Sequence, residues 1–94
     1  MYVADIIWLP DIVDKLDWKH HVLPSEVEDV LFGQPTYRKV QAGHVPGEDV
    51  YAAFGQTAAG RYLVIFFVYK RSREALIISG RDMDEQERRL YERR

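Results

Sequence analysis

Lys19, His20, Arg61 and Arg81, with Tyr91 nearer the C-terminus, are side chains that can act on a phosphodiester without a metal ion. Imidazole titrates near neutral pH and can serve as acid or base, whereas guanidinium grips phosphate oxygens in a fixed fork. The reaction such a set suits is RNA cleavage by attack of the 2′-hydroxyl on the adjacent phosphate. That reaction needs a base, donors that stabilise the charged phosphorane, and an acid for the leaving oxygen. Each residue also has a plainer role open to it. Lys19 and His20 suit a helix end. Arg61 precedes an apolar run, where a charge is costly unless it is paired or at the surface, so an ion pair with Glu48 or Asp49 competes with phosphate binding. Trp8 can be a core residue or a platform for a base, and Tyr91 can pack or extend its hydroxyl toward the site.

Other chemistries are disfavoured. There is no cysteine, hence no disulfide, no thiolate metal site and no thiol nucleophile. No glycine-rich phosphate loop, GxSxG elbow or HExxH helix occurs. The pair His20-His21 with His44 as a third ligand is a poor metal set, because adjacent helical histidines point in different directions and the carboxylates follow no metal-binding spacing. No metal and no cofactor are expected.

The elements that must carry these residues can be read from the pattern. The chain has 94 residues, 47% of them hydrophobic, including six Tyr, four Phe and two Trp, enough for a single core without covalent staples. Val3 to Trp8 reads as a first strand stopped by Pro10. A helix capped by Asp11 follows, with Ile12, Val13 and Leu16 on its apolar side and Trp18 off it. Ser25, with Glu28 reaching back, predicts a capped second helix that buries Val27, Val30 and Leu31 and ends at Gly33 and Pro35. Thr36 to Gln41, Val50 to Gln56, Tyr62 to Lys70 and Glu74 to Ser79 read as strands. Gly43 and Pro46-Gly47, Ala59-Gly60 and residues 70–73 supply the turns between them. Links this short favour antiparallel pairing, and the run Leu63 to Val68 suggests a central strand covered on both faces. Acids at 84–87 and bases at 88–94 suit the two ends of a third helix. The expected fold is α+β: a mainly antiparallel sheet of four or five strands, packed by two N-terminal helices and a C-terminal one, in one domain over 1–94.

Charge divides unevenly along the chain. Residues 1–60 hold four Lys/Arg against nine Asp/Glu, and residues 61–94 hold nine against six. A local basic surface can therefore sit on a protein whose net charge is −2, although solvated surface charge is the plainer reading. The first residues lack the basic-then-apolar pattern of a leader, and the longest apolar run is far short of a bilayer span. The expectation is a cytoplasmic protein that does not enter the membrane.

Four stretches resemble the BrnT ribonuclease toxins. Trp8 followed by Lys19-His20-x-Val22 and Glu26 is similar to that family's opening, in which a strand-ending Trp is followed at this spacing by a Lys-His-Gly-Val step. Gly60-Arg61-x-Leu63-Val64-Ile65 resembles its Gly-Arg-x-Leu-x-Val strand. Ile77-Ile78-Ser79-Gly80-Arg81 resembles its Arg-Ile-Ile-Ser-Ala-Arg strand, and Glu87-Arg88-x-x-Tyr91 its closing helix. The likeness runs in order over residues 6–92. It implies a RelE-like fold and a metal-independent ribonuclease that blocks translation. It also implies neutralisation by a BrnA-type ribbon-helix-helix antitoxin, a complex that represses its own operon, and dimerisation. Carried over, His20 becomes general base or acid, Lys19 and Arg61 hold the scissile phosphate, Arg81 stabilises the transition state, and Trp8 and Tyr91 contact the substrate. The chain departs from the family where Leu9 stands for Asp, where Ile12 and Leu16 occupy positions often held by Lys and Asn, and where His21 replaces Gly. A relative that keeps the antitoxin-binding surface but has lost the nuclease is the alternative. A small domain for another ligand is a third reading, favoured by a pocket of Tyr and Phe away from His20.

Overall fold

The apolar run that the sequence places at the centre of a sheet lies there. In a computed structural model that describes residues 1–43 and 47–93, five strands form one mixed sheet in the order β1-β5-β4-β3-β2. They are β1 (Asp5–Ile7), β2 (Thr36–Gln41), β3 (Val50–Gln56), β4 (Tyr62–Tyr69) and β5 (Glu74–Asp82), with helices α1 (Pro10–His20), α2 (Pro24–Leu31) and α3 (Glu85–Glu92). The hairpins β2-β3, β3-β4 and β4-β5 are antiparallel. β1 instead returns beside β5 in parallel, pairing Ile6 with Ala75. Short turns set the β3-β4 and β4-β5 hairpins, an eight-residue link (42–49) joins β2 to β3, and the parallel edge pair is added by the whole chain closing on itself.

Alternation along β4 sorts its side chains. Leu63, Ile65 and Phe67 face α1 and α2, where they are buried with Leu16, Val22, Val27, Val30 and Ile77. Val64 and Phe66 face the other way. α3 lies on that second face, with the rings of Tyr62 and Tyr91 edge to face at 5.9 Å and the Arg88 guanidinium 4.0 Å over the Tyr62 ring.

The helix starts differ from the expected caps. α1 begins at Pro10 with Leu9 as N-cap, and α2 at Pro24 with Leu23 as N-cap. Neither Asp11 nor Ser25 caps, because proline at the first helical position lacks an N–H and already has helical φ, which moves each boundary outward. Glu26, not Glu28, reaches back to the Leu23 N–H at 3.0 Å. α3 starts as read, with Asp84 and Glu87 each accepting the other's backbone N–H at 2.8 and 2.9 Å. Beyond α2, the left-handed residue is Gln34. Pro46, part of the expected β2-β3 turn, lies outside the described residues.

β5 runs past Ser79 to Asp82. Gly80 does not break it. An added Cβ there would crowd Ile65 Cδ1 at 3.0 Å and meet Leu16 Cδ2 at an ordinary 3.5 Å, so the glycine sits where α1 lies close over the sheet. The register also shifts: Phe67 pairs with Ile77 but Phe66 with Ser79, leaving Ile78 as an extra residue. Such a bulge reverses the alternation beyond it. Ile77, Gly80 and Asp82 consequently face α1 and α2, and Ser79 and Arg81 face α3.

Candidate functional site

The sharpest local structure is the corner between α1 and α2. His21 ends α1 in the left-handed conformation, φ 54°, and its N–H bonds to the Asp17 carbonyl at 2.9 Å. This is the helix ending that glycine favours, because a Cβ there crowds the backbone. The position at which the chain departs from the Lys-His-Gly-Val step is therefore one whose backbone suits glycine. His21→Gly is expected to stabilise the protein by about 0.5–1 kcal/mol, the relief of left-handed strain less the entropy that glycine adds to the unfolded chain. Thermal or urea unfolding checks this, and a loss of stability would contradict it.

Arg61 holds that corner. The turn Thr57 to Gly60 closes through the Thr57 carbonyl, and Thr57 Oγ1 accepts the Arg61 N–H at 3.0 Å. From there the guanidinium reaches four groups. Nη2 donates to the His20 carbonyl at 3.0 Å and to Asp82 Oδ2 at 3.2 Å. Nε donates to Asp82 Oδ1 at 2.8 Å, and Nη1 to the His21 carbonyl at 2.6 Å and to both Glu26 oxygens at 3.2 Å. Every N–H of the fork thus has an acceptor within the protein. The hydrogen bond to Asp82 is the main cause that raises the Arg61 pKa, and the same bond holds the Asp82 carboxyl below its ordinary range. The partners are Asp82 and Glu26, not Glu48 or Asp49. Glu48 pairs with Lys70 and Asp49 with Lys39.

Lys19 and His20 sit at the end of α1, the first exposed and the second half-buried. Among the described residues, neither side chain has a hydrogen bond or ion pair within the chain. The His20 backbone is fixed by Arg61, and the His20 charge is one of the lesser causes that lower the Asp82 pKa, so imidazole and carboxylate lie near each other. Arg61 is therefore brought against the backbone of His20, and Lys19 is placed there only as its exposed neighbour on α1.

Arg81 is not brought to them. Read by simple alternation from Ile77, it would share the helix-covered face with Arg61. The bulge at Ile78 sends it to the opposite face. There its guanidinium lies 5.5 Å from the Phe66 ring centre and binds Glu87 through two hydrogen bonds, at 2.7 and 3.1 Å. It ties the first turn of α3 to the sheet. Tyr91 is buried on the same face, walling a cavity of about 140 Å³ with Thr36, Arg38, Phe54 and Leu90. An adjoining groove of about 370 Å³ runs between Arg38, Phe54, Phe66 and Arg81. Trp8, half-buried at the end of β1, packs on the core at the opposite edge of the sheet from β2. The six residues fall into three places: the α1-α2 corner, the α3 face and the β1 edge. Asp82 and Glu87, the carboxylates that engage the two arginines, were not singled out as site residues. The only sequence signal for Asp82 is its register opposite Leu63, which requires the bulge to be known.

Glu87 accepts from Arg81 and is held below its ordinary value of 4.5, chiefly by that bond. Asp82, held below 3.8 by Arg61, behaves alike. The folded state binds fewer protons than the unfolded one as these groups titrate, so their stabilisation is complete above the unfolded values and is lost as pH falls through the folded ones. The melting temperature is expected to drop below about pH 4.5, and the drop should be shallower in Glu87→Gln. An equal slope in that variant would show that the pair does not contribute.

Among the described residues, no three His, Asp or Glu side chains are arranged to hold a metal ion. His44 lies outside the described residues. No described helix is long and apolar enough to cross a membrane. Comparison with models of protein families finds no match, and neither does comparison with curated proteins.

Proposed function

We propose that this chain is a metal-independent ribonuclease toxin of the BrnT type. It would act in the cytoplasm, restrained by a ribbon-helix-helix antitoxin of the BrnA type, with dimerisation in that complex. The reading rests on four motifs in the BrnT order. It is supported by one feature above others: the His20 backbone carbonyl is held by Arg61, while neither the His20 nor the Lys19 side chain is taken up by a hydrogen bond or ion pair among the described residues. An imidazole on an anchored backbone, not consumed by an internal hydrogen bond, is open to a 2′-hydroxyl.

In this reading His20 takes the 2′-hydroxyl proton or gives one to the leaving 5′-oxygen, and Lys19 places a positive charge beside the phosphate. Arg61 is a positioning residue: with its donors on Glu26, Asp82 and two carbonyls, it orients the corner and does not bind phosphate. Arg81 fixes α3 and takes no part at this phosphate. The test is incubation of mixed RNA with purified, partner-free chain in EDTA, beside His20→Ala and Lys19→Ala. Cutting that persists in chelator and falls in both variants supports the reading.

The second reading is a domain that keeps the antitoxin surface without the nuclease. It is favoured by the commitment of both Arg61 and Arg81 to carboxylates of the chain itself. Growth arrest on expression, relieved by a ribbon-helix-helix partner, separates the two. The toxin arrests growth and the binding domain does not.

A further inference from the structure

The end of the sheet away from His20 carries a feature that the ribonuclease reading leaves unused. The close of β4, the turn 70–73 and the start of β3 border an open cleft of about 520 Å³. Tyr2, Tyr51 and Tyr69 line it together with Lys70, Arg71 and Arg73. The rings are held in place: Tyr51 lies near-parallel to Phe67 at 6.1 Å and meets the Tyr69 ring edge-on at 6.2 Å, while the Tyr69 hydroxyl donates to the Tyr2 carbonyl. Asp49, the acid in the lining, is engaged by Lys39 at 3.1 Å and by the Gly43 N–H at 2.9 Å. Lys70 is engaged by Glu48 at 2.7 Å. Arg71 and Arg73 are exposed, and among the described residues their side chains carry neither hydrogen bond nor ion pair.

Two backbone features bear on these arginines. Gly47 has φ 82°, and a Cβ there would stand 2.8 Å from Arg71 Nε, so glycine is what allows Arg71 to lie across the cleft wall. Arg73 adopts φ 69°, a conformation that glycine or asparagine takes at lower cost.

Two uncommitted guanidinium forks beside fixed aromatic rings match a ligand with both phosphates and planar bases. Guanidinium binds phosphate oxygens in pairs, and a tyrosine ring stacks on a base of any sequence. A carboxylate ligand would answer the arginines but leave the rings unused, and an apolar one would leave the cations unmatched. We propose that this cleft binds a segment of single-stranded RNA, with a base against Tyr51 or Tyr69 and phosphates at Arg71 and Arg73. The choice of RNA rests on the function proposed above. The eight residues of β4, at roughly 3.3 Å each, separate the cleft from the His20 corner by roughly 25 Å, so the two sites would engage different nucleotides of one strand.

The test uses the full chain and a fluorescein-labelled 2′-O-methyl oligouridine of ten nucleotides, which cannot be cut by 2′-hydroxyl attack, followed by fluorescence anisotropy. Arg71→Ala with Arg73→Ala is expected to raise Kd about tenfold or more and to flatten the dependence on salt. The charge-matched control, Arg89→Ala on α3 with Arg93→Ala at its C-cap, should change Kd much less. Tyr51→Leu should weaken binding about five- to a hundredfold while keeping the salt slope. Wild-type chain that does not bind the oligonucleotide, or equal losses in the two arginine pairs, would overturn the proposal. Because the probe is uncleavable, binding through the cleft stands whether or not the chain cuts RNA. Cutting without cleft-dependent binding sinks this inference and leaves the ribonuclease reading intact.

Discussion

Replacing Arg61 with alanine is expected to cost about 2–4 kcal/mol of stability, because four acceptors lose their donors in one step. The Glu26 and Asp82 carboxylates would face each other across the vacated site, and the carbonyls of His20 and His21 would need water. The lower end of that range reflects the 27% exposure of the Arg61 side chain, which lets solvent re-enter. Arg61→Lys should recover only part of the loss, since one ammonium cannot span Asp82, Glu26 and both carbonyls at once. Urea unfolding of the three proteins measures this directly. A loss below about 1 kcal/mol in the alanine variant, the level of an ordinary surface ion pair, would show that the clamp does not hold the corner.

The second large effect is on rate. On the proposed ribonuclease reading, His20→Ala is expected to reduce RNA cleavage by about 10²–10⁴-fold, the usual contribution of a positioned acid or base. Its stability should stay near that of the wild type, because the imidazole makes no hydrogen bond or ion pair among the described residues and Arg61 holds only its backbone carbonyl. Arg61→Ala would lower cleavage as well, but through the fold, so its activity should recover under conditions that restore structure, such as lower temperature. That of His20→Ala should not. Equal rates for wild type and His20→Ala would remove the histidine from the chemistry.

The strands were largely legible because their period and turns are local. Thr36–Gln41 and Val50–Gln56 are read to the residue, and the acids at 84–87 mark the start of α3, though not the cap that Asp84 and Glu87 form there. The misread features depend on other parts of the chain. Gly80 looks like a strand end until Leu16 is known to pack over it. β1 cannot be paired with β5 from turn lengths, because nothing local encodes a contact between segments so far apart. The candidate site suffered most from this. Arg61 meets the His20 backbone, at the end of the helix that also carries Lys19. Arg81 was read as a partner of the same phosphate, yet a single extra residue at Ile78 sends it through the sheet to Glu87. No periodicity argument reveals a bulge in a run such as Leu76-Ile77-Ile78, where every side chain is apolar.

The same locality explains the arginine partners. Glu48 and Asp49 are acids near a predicted turn, so they are natural candidates for Arg61. Asp82 is close only after β4 and β5 pair, and Glu26 only after α2 docks over the sheet. The left-handed turn at His21 was hidden for the opposite reason. A histidine gives no sign of the backbone that a glycine would have announced.

The proposed metal-independent cleavage of RNA, by attack of the RNA's own 2′-hydroxyl, is tested most directly by one substrate pair. A defined RNA oligonucleotide and its 2′-O-methyl counterpart are incubated in EDTA with well-folded, partner-free chain, and the products are resolved by mass. Cutting of the RNA alone is expected, with a 2′,3′-cyclic phosphate on the new end, and its near-complete loss in His20→Ala. Cutting of the 2′-O-methyl strand, dependence on an added divalent ion, or no cutting of the RNA would contradict it.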